Sequence, residues 1–228
     1  MPTLRAYLIG GSAISHFNSY VDLGVTVSSS LSFVQHINNI VSKARQRISI
    51  LLRGFLSRDL STMRLAFITY IRPLLEYNSI VWNPNYIYLI DLIENVQRKF
   101  TKALPSIYSL SYSERLASLN LDLLELRRVR FDLVYYYKVL NHLTPFTPSE
   151  VFNIYSPPAC SRSELPYLLK PTHATNRLMS SLFYRSIDAW NALPVALRSS
   201  SSLSTFKHNL MHIDLTKFLR GSAIDQSN

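Results

Sequence analysis

The sequence predicts a mainly α fold: a helical bundle behind a small N-terminal antiparallel hairpin or sheet, with a helical C-terminal region. Three observations predict it. Apolar residues recur at steps of three and four through most of residues 33–140, the period of one helical face. The chain has only five glycines against 14 tyrosines, a balance that suits an aromatic-rich helical body. The β-type pattern is confined to residues 6–28.

In that first stretch Tyr7, Leu8 and Ile9 lead into Gly10-Gly11, a turn signal, and a second run returns from Ala13 to Phe17. A third run, Tyr20 to Val27, is rich in Val and Thr and interrupted at Gly24. Together they read as one small antiparallel sheet with too few strands to stand comfortably alone, as if it once completed a larger one. A first helix follows. Ser32 and Gln35 have capping-box spacing, and Phe33, Ile37, Ile40, Val41, Ala44, Ile48, Leu51, Leu52 and Phe55 mark one face. Lys43, Arg45, Arg47 and Arg53 project from the rest of it.

A second helix is expected from Asp59 or Ser61 toward Trp82, kinked or restarted at Pro73, which cannot donate a backbone hydrogen bond. A third covers 86–104, with Ile87, Ile90, Leu92 or Ile93, Val96, Phe100 and Ala103 as its stripe. Arg98, Lys99 and Lys102 gather in its last turns, where cations suit the negative end of the helix dipole. A short helix is expected over 112–119 and a long one over 122–143, with Leu126, Val129, Leu133, Tyr136 and Leu140 inward. Pro145, Pro148, Pro157, Pro158, Pro166 and Pro171 then disfavour regular helix and predict an extended connector. Helical pattern returns at 180–191 and 203–219, and the last residues are expected to fray. The divisions are thus 1–29 (hairpin), 30–105 (bundle), 106–143 (connecting helices), 144–179 (connector) and 180–228 (C-terminal helices).

A chain of 228 residues can bury a real core as one large or two small domains. Its lone Cys160 excludes an internal disulfide framework and fits a reducing compartment. No run approaches the roughly 20 apolar residues of a membrane helix, and the N-terminal apolar run is too short for a secretory signal. The expectation is a soluble intracellular protein, nuclear or cytoplasmic, with no membrane partner. A net charge of +10 favours a polyanion as partner, because each neutralised phosphate releases counterions.

No self-sufficient catalytic centre is visible. Asp22, Asp59, Asp91, Glu94, Asp122, Glu125 and Asp132 are scattered, and no two aspartates are adjacent to hold the metals of nucleotidyl transfer. Glu94 with Arg98, and Arg128 with Asp132, have the spacing of ordinary surface ion pairs. His208 and His212 have metal-compatible spacing, but a third ligand would have to be Cys160 or His173, so surface or capping histidines are the better expectation. Cys160 reads as an inert thiol. The basic residues are more informative. Lys43, Arg45, Arg47, Arg53, Arg64, Arg72, Arg98, Lys99, Lys102, Arg127, Arg128 and Arg130 lie on successive helices. Bundling could align several along one groove, with Tyr77, Tyr86 or Tyr108 to stack on bases or sugars. Equally, they could be a solvated surface whose stems cover apolar area.

Four blocks of this sequence resemble the C-terminal part of reverse transcriptases of LINE-type (non-LTR) retrotransposons of the jockey-like group. They are Tyr20-Val-Asp-Leu-Gly-Val-Thr-Val27 with Leu31-Ser-Phe33 and His36-Ile37; Ile71-Arg-Pro-Leu-Leu-Glu-Tyr77 with Val81-Trp-Asn-Pro84; Glu94-Asn-Val-Gln-Arg-Lys-Phe100; and Trp190-Asn-Ala-Leu-Pro194 with Ser202-Leu-Ser-Thr-Phe-Lys207. The blocks fall in the family's order and span most of the chain. The resemblance implies palm-end strands followed by a polymerase thumb that holds an RNA/DNA template–primer, with Leu23-Gly24 in the turn of the primer grip. A glycine there lets backbone approach a strand closely. The implied nucleic-acid-binding residues are Leu23, Gly24, Lys43, Arg45, Arg47, Arg53, Arg72, Arg98, Lys99 and Lys102. In such enzymes the fingers and palm, whose paired aspartates bind magnesium, precede this part. The expectation is therefore a fragment without polymerase activity alone, no cofactor of its own, and a palm-containing polymerase segment as possible partner. The alternative is a helical interaction module, or a relic, that binds no nucleic acid.

Overall fold

The computed structural model describes residues 8–10, 12–13, 17–155 and 167–221. The mainly α fold expected from the sequence is what forms, with small hairpins at its N-terminus. These hairpins do not merge into one sheet. Strands β1 (Leu8–Ile9) and β2 (Ser12–Ala13) pair with each other, and β3 (Ser19–Asp22) pairs with β4 (Val25–Ser28) in a separate ribbon. Leu23 and Gly24 form the two-residue turn of that ribbon with φ of 45° and 82°, the left-handed geometry that two-residue hairpin loops require. Val25 and Thr26 of β4 are buried, whereas all of β3 is exposed.

Helix α1 (Val34–Gly54) buries His36, Ile37, Ile40, Val41, Ala44, Ile48 and Leu51, the stripe read from the sequence with His36 added. Its expected capping box is not made. The helix starts after Phe33, and Ser32 instead donates its backbone N–H to Ser28 Oγ in the loop from β4. Two other boxes do form, Ser111 with Glu114 and Thr147 with Glu150.

The segment before Trp82 is not one helix. Asp59 caps α2 (Leu60–Ala66), accepting from Thr62 N. Residues Phe67–Ile71 then widen into a π-helical turn, with Arg72 N donating to Phe67 O, before α3 (Arg72–Glu76) begins with Pro73 in its first turn. The widened turn takes up the mismatch that an imino acid imposes on the helix ahead of it. Asn78, at φ 53°, breaks the chain again before α4 (Ser79–Trp82). Helices α5 (Ile87–Lys102), α6 (Tyr112–Ser118) and α7 (Leu124–Leu140) follow within two or three residues of expectation.

Beyond α7 the connector is more regular than expected. A one-turn helix α8 (Pro148–Val151) has proline at its first position, where no N–H is needed. Strands β5 (Asn153–Tyr155) and β6 (Tyr167–Leu169) pair antiparallel. Pro157, Pro158, Cys160 and Pro166 lie outside the described residues. The expected 180–191 helix is three pieces, α9 (Asn176–Ser180), α10 (Leu182–Arg185) and α11 (Ile187–Asn191), followed by α12 (Val195–Arg198). The last expected helix stops early: α13 is Leu203–Leu210, and a single 3-10 turn forms at Thr216–Phe218.

Two buried clusters organise these elements. The first runs from Val25 through α1–α6 to Leu124, and the second from Leu133 through the C-terminal helices to Leu215. Helix α7 contributes to both.

Candidate nucleic-acid interface

Helix α1 has no acidic residue along its length. On the flank that faces α5, Asn38, Val41, Ser42, Arg45, Gln46 and Ser49 line a shallow groove of about 290 Å³, closed on the far side by Leu92. Arg53 lies seven residues beyond Gln46, and a heptad returns a helix to within about 20° of the same bearing. It continues that row and donates from Nε to Ser49 O at 3.2 Å. By the same rule Lys99 stands two turns beyond Leu92 on the α1 side of α5. Lys102 follows one turn later and donates from Nζ to Tyr108 O at 2.7 Å. Arg45, Arg53 and Lys99 are exposed and have no ion-pair partner among the described residues.

The two acids of α5 face elsewhere. Asp91 lies beside Gly221, where a Cβ would sit 3.2 Å from its Oδ1. Glu94 is buried and does not form the surface pair with Arg98 that its spacing suggested. It accepts from Tyr112 Oη at 2.6 Å and from the N–H groups of Leu124 and Glu125, capping the start of α7 with a carboxylate supplied from another helix. Burial pushes the Glu94 carboxyl above its ordinary range, while the Tyr112 hydroxyl and the Arg128 charge pull it back.

The remaining expected cations divide by environment. Lys43 and Arg47 lie on the opposite flank of α1, where Arg47 Nη1 donates to Tyr70 O at 2.9 Å. Arg72 is half-buried and 3.7 Å from Glu76, a carboxylate it shares with Arg127. Burial first, and then the Arg127 charge, lower its pKa. Arg98 is half-buried, its guanidinium 4.8 Å from the centre of the Tyr112 ring. The helix period sets Arg45, Arg53 and Lys99 along one seam, and leaves Lys102, Lys43, Arg47, Arg72 and Arg98 off it.

Arg128 and Arg130 leave the surface, and Arg127 is half-buried against Glu76. Arg128 is fully buried and donates from Nε to Asn83 Oδ1 at 3.0 Å, so its expected local pair with Asp132 does not exist. Asp132 is instead held by Arg185, at 2.7 and 2.8 Å, and by Asn83 and Ser186. Arg130 pairs with Asp122 and donates to Met211 O. The sequence reading missed this buried polar layer because most of its partners lie 45 or more positions apart in the chain. It also missed Asn38, Ser42, Gln46 and Ser49; an acid-free polar row at helical spacing was the available signal.

The Leu23-Gly24 turn lies on Tyr77, whose hydroxyl donates to Leu23 O at 3.1 Å and whose Cε1 is 3.6 Å from where a Gly24 Cβ would sit. Behind it Thr26 N donates to His36 Nδ1 at 3.3 Å, and the His36 ring meets Trp82 edge-on at 5.3 Å. Tyr86 and Tyr108 are exposed; Tyr86 sits beside Tyr88 with ring centres 6.0 Å apart. The rings of His208 and His212 are 5.3 Å apart, and no cluster of three potential metal ligands occurs among the described residues. No helix among them is long and apolar enough to cross a membrane.

Against known proteins, the chain is similar to an uncharacterized protein of Caenorhabditis elegans, 29% identical over 128 residues. That match covers 55% of this chain and 65% of the worm protein, less than two thirds of its length. No family model matches the chain, and no solved structure matches it.

Proposed function

We propose that this chain is a nucleic-acid-holding part of a non-LTR retrotransposon reverse transcriptase, in which the α1–α5 seam follows the sugar–phosphate track of an RNA/DNA template–primer. The observation that carries the proposal is the exposed acid-free row of Arg45, Arg53 and Lys99 along a groove, in a chain of net charge +10. Cations in such a row recognise the backbone and its shape rather than base identity. The Leu23-Gly24 turn, positioned by Tyr77 at the N-terminal end of α1, is a separate place where backbone could approach a strand closely.

Bond formation is not assigned to these residues. In the resembled enzymes the paired aspartates of a palm hold magnesium, and no adjacent aspartates occur in this sequence. A palm-bearing polymerase segment is the proposed protein partner. Strand β3 suits it, since Tyr20 and Val21 are exposed on its surface and no strand covers its outer edge among the described residues. The same apolar hairpin favours the second possibility, a protein-interaction module without nucleic acid.

Salt-titrated fluorescence anisotropy with a labelled RNA–DNA hybrid separates them. The expected result is log K falling linearly with log salt, by about 0.9 for each phosphate neutralised. Absence of binding at low salt would sink the proposal and leave the interaction module.

A further inference from the structure

A second, larger groove of about 580 Å³ opens at the N-terminal end of the same seam. It rests on the same two helices: Val34 on its wall stands four residues before Asn38 of the basic row, and Leu89 three before Leu92. One row of helix surface thus runs through both grooves. Their linings differ sharply. Among the described residues no Asp, Glu, Lys, Arg or His borders the larger groove, whose lining includes the rings of Tyr86, Tyr135, Phe146 and Phe183. Phe183 holds Phe146 and Tyr135 in place, with ring centres 6.2 and 6.5 Å away.

Resting on the proposed backbone contact along the seam, we infer that this groove receives an unpaired base at the end of the bound strand. A groove whose described lining is uncharged, about three helical turns along the seam from Arg45 and Lys99, disfavours phosphate and admits a neutral flat group. A nucleobase is such a group. Its faces suit Tyr86 and Phe146, exposed by 54% and 44%, and Ser32 and Asn85 on the wall can hydrogen-bond its edge. The volume falls within the roughly 300–1,000 Å³ of ordinary ligand pockets. The ligand of the whole surface is then a duplex with a single-stranded extension, held by its backbone along α1 and α5 and by one stacked base at their N-terminal ends.

The test compares the full chain on a blunt RNA–DNA hybrid and on the same hybrid carrying a short single-stranded extension with 2-aminopurine as its unpaired base. The extended hybrid should bind about tenfold more tightly at equal salt, the effect of one stacked base, and its 2-aminopurine emission should be quenched. The Tyr86→Ala, Phe146→Ala double variant replaces two exposed side chains; it should lose the preference and keep its affinity for the blunt hybrid, with an unchanged circular dichroism spectrum. Equal, salt-sensitive binding of both hybrids overturns the base site while sparing the backbone seam; no binding of either overturns both. Unquenched emission in the bound complex, which needs no variant, overturns the base site, as does a preference that survives in the folded double variant.

Discussion

The two buried clusters solve the same problem with different materials. The first is mainly aliphatic, with Ile37, Val41, Met63, Ile71, Leu75, Ile93 and Val96 around one close pair of rings, Phe67 and Phe100. The second is built on packed aromatics: Tyr137 stacks 4.5 Å from Phe206, Tyr136 is tilted 4.7 Å from Phe152, and Trp190 is within about 6 Å of both Tyr136 and Phe206. Their cations differ in the same way. Those of α1 and of the last turns of α5 stand mostly outside the first cluster, whereas Arg128, Arg130 and Arg185 are drawn into the layer where the clusters meet. A count of basic residues therefore overstates the charge offered to a ligand. What matters is whether a carboxylate lies within reach: Asp132 pairs with Arg185, Asp122 with Arg130 and Glu76 with Arg127, and no acid stands on the α1 row.

The largest effect should come from breaking the layer between the clusters. Asp132→Ala leaves Arg185 buried without its partner and should cost about 3–5 kcal/mol, read as a lowered urea midpoint. Next, Arg45→Ala, Arg53→Ala and Lys99→Ala should leave folding intact and each reduce the salt slope of hybrid binding by about 1. An unchanged slope in all three would remove the distinction between free and neutralised cations.

A smaller effect belongs to His36. Its Nδ1 accepts from Thr26 N, so the bound ring is neutral, and burial, aided by the Lys43 charge, lowers its pKa below the ordinary 6.5. The unfolded chain then binds the proton first. Stability contributed by this contact is complete above pH 6.5 and is lost as pH falls from there toward the lowered folded value. His36→Asn keeps an acceptor without a titrating ring. The difference in melting temperature between the two proteins should therefore shift in the variant's favour between pH 7.5 and 5.5. Smallest of all, Lys43→Ala, on the far flank of α1, should leave the salt slope unchanged within error.

The stripes of α1 and α5 were legible because an amphipathic helix writes its packing into a local repeat. The Asp59 cap and the effect of Pro73 were visible in part for the same reason, although the proline's response, a widened turn over Phe67–Ile71, was not. What escaped was decided across long distances. Arg128 and Asp132 have the spacing of a surface pair, yet Asn83 and Arg185, from α4–α5 and α10, claim them separately. Strands β5 and β6 pair across residues 156–166, and nothing local announces that partnership. In the proposed interface, the cations were legible and the choice among them was not, since neutralisation depends on which carboxylate the fold brings near.

Glu94 has a consequence for how this molecule can be taken apart. Helix α7 has no cap of its own; its first amides are met by a carboxylate from α5, and its later turns are the floor of the aromatic cluster. Each half thus owns something the other requires. A chain ending after Leu104 would lose the Tyr112 hydroxyl and the α7 amides that hold the Glu94 carboxylate, and one beginning at Leu124 would start with an uncapped helix beneath its aromatic cluster. Joining the second half to a foreign neighbour would leave the first amides of α7 in need of another acceptor.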